Sequence, residues 1–182
     1  MRRIMILGVS AGVGKSTFAQ RLGRILNIEV FHLDKLYWKR NWVESTVEEF
    51  AAHQQKIVEK EKWIIEGNYS NTYDIRAKYA DTIIYLELPL IVCISRVFKR
   101  LLLNIGKTRP DMAPGCKEKI DYEFLKFICT TYHSRKKKMN DRLEQFHQSG
   151  IQKNIIILKS KKDIQTYIDN LSTLKRSEQS IK

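Results

Sequence analysis

Cysteine, proline and acidic residues are the scarce components of this sequence. The three cysteines, Cys93, Cys116 and Cys129, are odd in number and form no C-x-x-C pair. This argues against a disulfide framework or a closed zinc site and for a reducing cytoplasm. His32, His53, His133 and His147 are scattered, with no two at metal-ligand spacing, so none is assigned a role. Long apolar runs are also missing. None approaches the roughly 20 residues that a membrane span needs. The apolar start, Ile4 to Leu7, gives out into glycines and Lys15 with no cleavage-type site, so it does not read as a signal peptide. A soluble, cytoplasmic protein without a membrane partner is expected.

Acidic residues number 20 against 33 basic ones, for a formal charge of +13. The imbalance is local. Residues 1–91 hold 13 basic and 11 acidic side chains, and residues 92–182 hold 20 and 9. A basic second half predicts a polyanionic partner, anywhere from the phosphates of a nucleotide to DNA.

What is present is a regular alternation of short apolar runs and helical periodicity. Ile4–Leu7, Ile28–Leu33, Trp63–Glu66, Thr82–Leu88 and Asn154–Leu158 read as strands. The first helix carries Phe18, Leu22, Ile25 and Leu26 on one face. Helices are also expected over about 46–61, 71–80, 90–106 and 118–148, the last stopped by Gly150, with a closing helix through Ile164, Ile168, Leu171 and Leu174. Strands apolar throughout and alternating with helices predict an α/β fold, a parallel sheet covered on both faces. One domain over 1–175 and a polar, frayed tail over 176–182 are expected. Pro110 and Pro114, with Gly106 and Gly115, mark a loop over about 104–118.

The strongest motif is Gly12-Val13-Gly14-Lys15-Ser16-Thr17, between a buried strand and a helix. Glycines let successive backbone N–H groups turn toward phosphate oxygens, and the helix start adds its positive end. Lys15 can reach the β- and γ-phosphates, and the Ser16 hydroxyl can ligate Mg²⁺. Ala11, Gly12, Val13, Gly14, Lys15, Ser16 and Thr17 form the candidate nucleotide site. The full motif has glycine six residues before the lysine, where Val9 stands.

Ligands bind beyond the carboxyl ends of strands in such sheets. Asp34 follows the second strand and Glu66 ends the third. Asp34 is a candidate to take a hydroxyl proton or hold Mg²⁺ through water; the alternative is an N-cap for a short helix. Glu66 could sit near the metal or make a structural bond to Asn68 or a nearby loop. Trp38, within Leu36-Tyr37-Trp38-Lys39-Arg40-Asn41-Trp42, can stack a flat substrate or act as a clasp over the core. Gly67, Asn68, Tyr69 and Arg76 complete the candidate substrate set, although Arg76, on the following helix, could face solvent instead. Arg100 and Arg109, with Arg96, are candidates to stabilise a transferring phosphoryl group; Arg96 and Arg100 could instead form a solvated face. Arg135-Lys136-Lys137-Lys138 is expected to face solvent.

With its loop and element order, the chain resembles P-loop kinases of the adenylate and shikimate kinase group. More closely it resembles bacterial DNA topology modulation proteins of the flagellar-regulator type. The carrying segments are Gly8–Ala19, His32-Leu33-Asp34, Trp63–Tyr69 and Asn104–Met112, and the likeness spans residues 1 to about 170. It implies a five-stranded sheet in the order 2-3-1-4-5, ATP with Mg²⁺, and an acceptor crevice over strands two and three. It also implies a lid at 104–118, with Lys159-Ser160 beside the adenine. Nucleoside monophosphate kinases carry Asp-Gly-x-x-Arg after the third strand; here Glu66-Gly67 is followed by Ser70 at the arginine position. The expected activity is transfer of the ATP γ-phosphate to a small nucleoside-, nucleotide- or metabolite-type acceptor. An ATP-regulated DNA-binding protein with weak, non-specific affinity, or an ATP hydrolase without acceptor, are the alternatives. Monomer and dimer are both compatible with the sequence.

Overall fold

The computed structural model describes residues 1–104, 106–117, 122–148 and 153–180. Five strands form one parallel sheet: β1 (Arg3–Gly8), β2 (Val30–His32), β5 (Trp63–Glu66), β6 (Thr82–Leu86) and β7 (Asn154–Leu158). The two-residue strands β3 (Trp38–Lys39) and β4 (Val43–Glu44) form a separate antiparallel hairpin around a 3₁₀ turn, Arg40–Trp42. Across the main sheet the order is β2-β5-β1-β6-β7. Counted within that sheet alone, this is the expected 2-3-1-4-5.

The reason for the sheet lies in the strands. Ile4, Met5, Ile6 and Leu7 of β1 are fully buried, as are Trp63, Ile64 and Ile65 of β5 and Ile83, Ile84, Tyr85 and Leu86 of β6. Such runs need cover on both faces, which only crossover helices give. Helices α1 (Lys15–Leu26), α3 (Val47–Val58), α4 (Tyr73–Tyr79), α5 (Leu90–Asn104), α6 (Tyr122–Gln148) and α7 (Lys161–Ser180) supply it, and the short α2 (Leu33–Tyr37) follows β2. In α1, Phe18 and Leu22 are buried, and Ile25 and Leu26 pack against the same core. Helix α3 starts on a capping box, in which Thr46 and Glu49 satisfy each other's backbone N–H.

Several boundaries differ from expectation. The second strand stops at His32, and Leu33 already belongs to α2. Asp34 therefore sits in the first turn of a helix, whose N-cap is His32, so it is not the cap. The closing helix runs on to Ser180, past Arg176, because its polar residues remain in helical register. On α6, Ile128, Met139 and Leu143 are buried, while Phe127 is largely exposed. The expected start of that helix at about 118 and its stop at Gly150 fall outside the described residues. Among those described, no helix is long and apolar enough to cross a membrane.

Ile64 of β5 lies between β1 and β2 in the sheet and is fully buried. Ile64→Ala should cost about 3 kcal/mol through lost transfer energy and the remaining cavity, read as a lower urea midpoint at unchanged slope.

Candidate functional site

The glycine loop leaves the end of β1. The backbone N–H of Val9 donates to Leu86 O at 2.9 Å, so the chain continues the β1–β6 ladder for one residue beyond the strand. Val9 and Ser10 are buried, and the loop proper opens at Ala11. Gly12 and Gly14 hold φ of 78° and 103°, the left-handed region where side chains are strained. A Cβ on Gly12 would also lie 2.2 Å from the carbonyl oxygen of Cys93 on α5. Helix α5 thus presses on the loop, and Arg96 donates to Val13 O at 2.8 Å. Helix α1 starts at Lys15 with no side-chain cap and no acid in its first turn. Its leading N–H groups and positive end have no carboxylate of the helix competing for them.

The carboxyl ends of β2 and β5 bring the acids in. His32 and Glu66 are register partners on these neighbouring strands. The Glu66 carboxylate is 3% exposed. One oxygen accepts from the Ser16 hydroxyl at 3.0 Å and lies 2.7 Å from His32 Nδ1. Asp34 follows two residues after His32 and accepts the Tyr69 hydroxyl at 2.8 Å. Burial and the neighbouring charge of Glu66 push the Asp34 carboxyl above its ordinary value of 3.8, against Lys15, the Tyr69 bond and Arg109. The Tyr69 hydroxyl is pushed up in turn, by burial first and then by Asp34.

Next to them, the Asn68 amide grips both backbone groups of Gly8, at 3.0 Å from its N–H and 2.6 Å to its carbonyl. Gly67 turns at φ 139° with Leu33 packed against it, where a Cβ would stand 2.7 Å from the Leu33 Cβ.

Arg76 is a correction. Expected to face substrate or solvent, it does neither: it is wholly buried and does not line the cavity. Its guanidinium donates to the Tyr69 carbonyl at 3.1 Å, to Thr72 and to Gln54. Burial pulls it down to about 10, so it stays charged at neutral pH. Helix α4 is only seven residues long and packs on α3, which turns this position inward. Arg76 holds the Tyr69 backbone from below.

The hairpin and the loop after α5 meet over the acids. The rings of Trp38 and Trp42 stand edge to face at 5.3 Å and pack on Met112, Ala113 and Cys116. Trp42 Nε1 donates to Lys117 O at 3.1 Å, and the Cys116 thiol to Lys39 O at 3.3 Å. Both readings of Trp38 therefore hold: it lines the cavity and clasps a small second core. Arg109 pairs with Asp111 at 2.8 Å on the cavity wall.

Together these residues enclose a cavity of about 1320 Å³. Ala11 through Thr17, Asp34, Trp38, Glu66, Gly67, Asn68, Tyr69, Arg100 and Arg109 all line it. Two partners were not anticipated. His32 becomes visible only once β2 and β5 are neighbours. Arg135 lines the cavity over the Phe127 ring, 4.6 Å from its centroid, and burial lowers its pKa. The basic run was expected in solvent, yet four consecutive helical residues span more than three quarters of the circumference, so one turns inward. Lys136 binds Glu87 at 2.9 Å, and Lys137 and Lys138 are exposed.

No family model matches the chain. Uncharacterized protein YqaC of Bacillus subtilis (strain 168) is 28% identical over 131 residues, 69% of this chain and 70% of that protein. Among solved structures, shikimate kinase from Bacteroides thetaiotaomicron superposes with TM-score 0.58 at 17% identity, over 95% of this chain and 97% of that one. A putative kinase from Chloroflexus aurantiacus gives 0.54 at 12%, over 95% and 98%. Shikimate kinase from Acinetobacter baumannii, in complex with shikimate, gives 0.51 at 11%, over 98% and 95%. The fold is that of the P-loop kinases. These likenesses carry nothing about DNA topology, the part of the resemblance that implied nucleic acid.

The raised Asp34 pKa fixes the sign of a pH effect. Its ionised form is disfavoured in the folded state, so the native protein is penalised increasingly as pH rises from 3.8 through the raised folded value. Asp34→Asn should stabilise the fold at neutral pH relative to the parent. The increment should vanish below pH 3.8, as read by urea denaturation across that range.

Proposed function

We propose that this protein is an ATP-dependent phosphotransferase acting on a hydroxyl of a small molecule. The observation that carries the reading is the convergence of the glycine loop, the Ser16–Glu66 pair and Asp34 on one cavity. The residues fit a nucleotide with its metal. An uncapped, acid-free helix start suits phosphate, and Ser16 beside a buried carboxylate suits a hard divalent cation.

When bound, MgATP supplies the transferable phosphoryl group and an electrostatic screen for its charge. The chain's residues do the rest. Ala11 to Thr17 wrap the phosphates, and Lys15 binds their terminal oxygens. Arg96 keeps the loop closed through Val13 O. Arg100, with Arg135, supplies positive charge at the cavity wall where charge spreads over the equatorial oxygens, while Arg109 stands on the acceptor side, paired with Asp111. Asp34 takes the proton of the acceptor hydroxyl. Its raised basicity suits that task, and the Tyr69 bond fixes the carboxylate's orientation. Trp38, Gly67, Asn68 and Tyr69 bound the acceptor side, which Arg76 supports through the Tyr69 carbonyl.

Two variants test this with labelled ATP and a panel of hydroxyl acceptors. Lys15→Ala should weaken ATP binding by about tenfold or more, measured by titration calorimetry. Asp34→Asn should leave ATP binding intact and lower kcat about a hundredfold or more. If no acceptor is labelled and Lys15→Ala binds ATP normally, the kinase reading fails.

A further inference from the structure

The cavity of about 1320 Å³ exceeds the roughly 300–1,000 Å³ usual for one ligand, so it has room for two side by side. Its charge is divided between two halves. On one side stand Lys15 of the loop, Arg96, Lys99 and Arg100 of α5, and Arg135 of α6. Arg21 of α1 and Lys161 of α7 extend this wall. The other side, built from α2, the hairpin and the loop after α5, carries Asp34, Glu44 and Asp111.

Among the described residues lining that second side, Arg109 is the one cation, and it is held by Asp111 at 2.8 Å. The hairpin's own cations do not reach the cavity lining. Lys39 turns to Glu49 at 2.6 Å, and Arg40 is exposed elsewhere. Arg76 is spent on the Tyr69 carbonyl. The rest of that side holds four rings, Trp38 and Trp42, both half-buried, with Tyr37 and Tyr69, beside Pro110 and Met112.

An acceptor bearing a phosphate or carboxylate would meet the carboxylates of Asp34 and Glu44 and an Arg109–Asp111 pair whose charges offset each other. Such like-charge juxtaposition rejects a ligand. A planar, uncharged ring would instead find aromatic walls, with Asp34 available for its hydroxyl.

We propose that the acceptor is an uncharged, hydroxyl-bearing molecule with a planar ring, a nucleoside in chemical class, and neither a nucleotide nor a hydroxy acid. This rests on the phosphotransferase reading of the same cavity. It is tested by offering labelled ATP with each of four nucleosides, their monophosphates, a hydroxy acid and a neutral hexose. The expected result is transfer to at least one nucleoside with kcat/KM about a hundredfold above that for its monophosphate. Preference for a monophosphate, the hydroxy acid or the hexose overturns the proposal. Labelling of none of them overturns the phosphotransferase reading and the proposal with it.

Two variants read the two halves of the argument. Trp38→Leu should raise the nucleoside KM about tenfold while changing the ATP KM far less; equal effects on both overturn the stacking role. Asp111→Asn, which removes one negative charge from that side, should narrow the discrimination against the monophosphate about tenfold. Unchanged discrimination in a folded Asp111→Asn variant overturns the charge argument.

Discussion

A carboxylate withdrawn almost completely from water is costly unless donors surround it. Glu66 is that carboxylate, and its two partners come from different elements: the Ser16 hydroxyl from α1 and the His32 ring from the end of β2. Satisfying this one group fixes the start of the loop helix relative to both strands that flank the acceptor side. Lys15 is one residue before Ser16, and Asp34 is two after His32, so the spacing between phosphate lysine and strand-end acid follows from the same constraint. The sheet order makes it possible, because β5 lies between β2 and β1. Asn68 then ties the β5 end to Gly8, where the loop begins.

Much of this was legible in the residues. Apolar strands alternating with amphipathic helices could only form a parallel sheet with both faces covered. The glycine loop between strand and helix specified its own chemistry. What stayed hidden depended on which elements become neighbours. His32 carries no local mark of its role; its partner is 34 residues away and meets it only through strand pairing. On the residues alone Arg76, on the helix after a strand-end acid, could face substrate or solvent. Whether it faces the cavity or the core is decided by how α4 packs on α3. Arg135 was concealed in a run of four cations, since composition does not say which azimuth of α6 meets the cavity.

The acceptor side is built on a different principle from the nucleotide side. The loop is held by backbone geometry and by α5 pressing on it. The hairpin and the segment 106–117 are held by each other, through the small core of Trp38, Trp42, Met112, Ala113 and Cys116. Asn41 and Trp42 adopt φ of 60° and 64°, unusual for residues with side chains, and the strain is met by the indole bond to Lys117 O and the packing of the rings. The cover over the acids is thus a local assembly with its own apolar nucleus, separate from the main core.

The ladder bond from Val9 to Leu86 explains how a β-branched residue can stand where the general motif has glycine. That position continues a strand, and its φ is not in the left-handed region. The demand for glycine begins three residues later, where Gly12 bends under the Cys93 carbonyl. The loop therefore has a permissive end and an exacting end. A recognition pattern for chains of this kind would leave the first position open and insist on the twelfth and fourteenth.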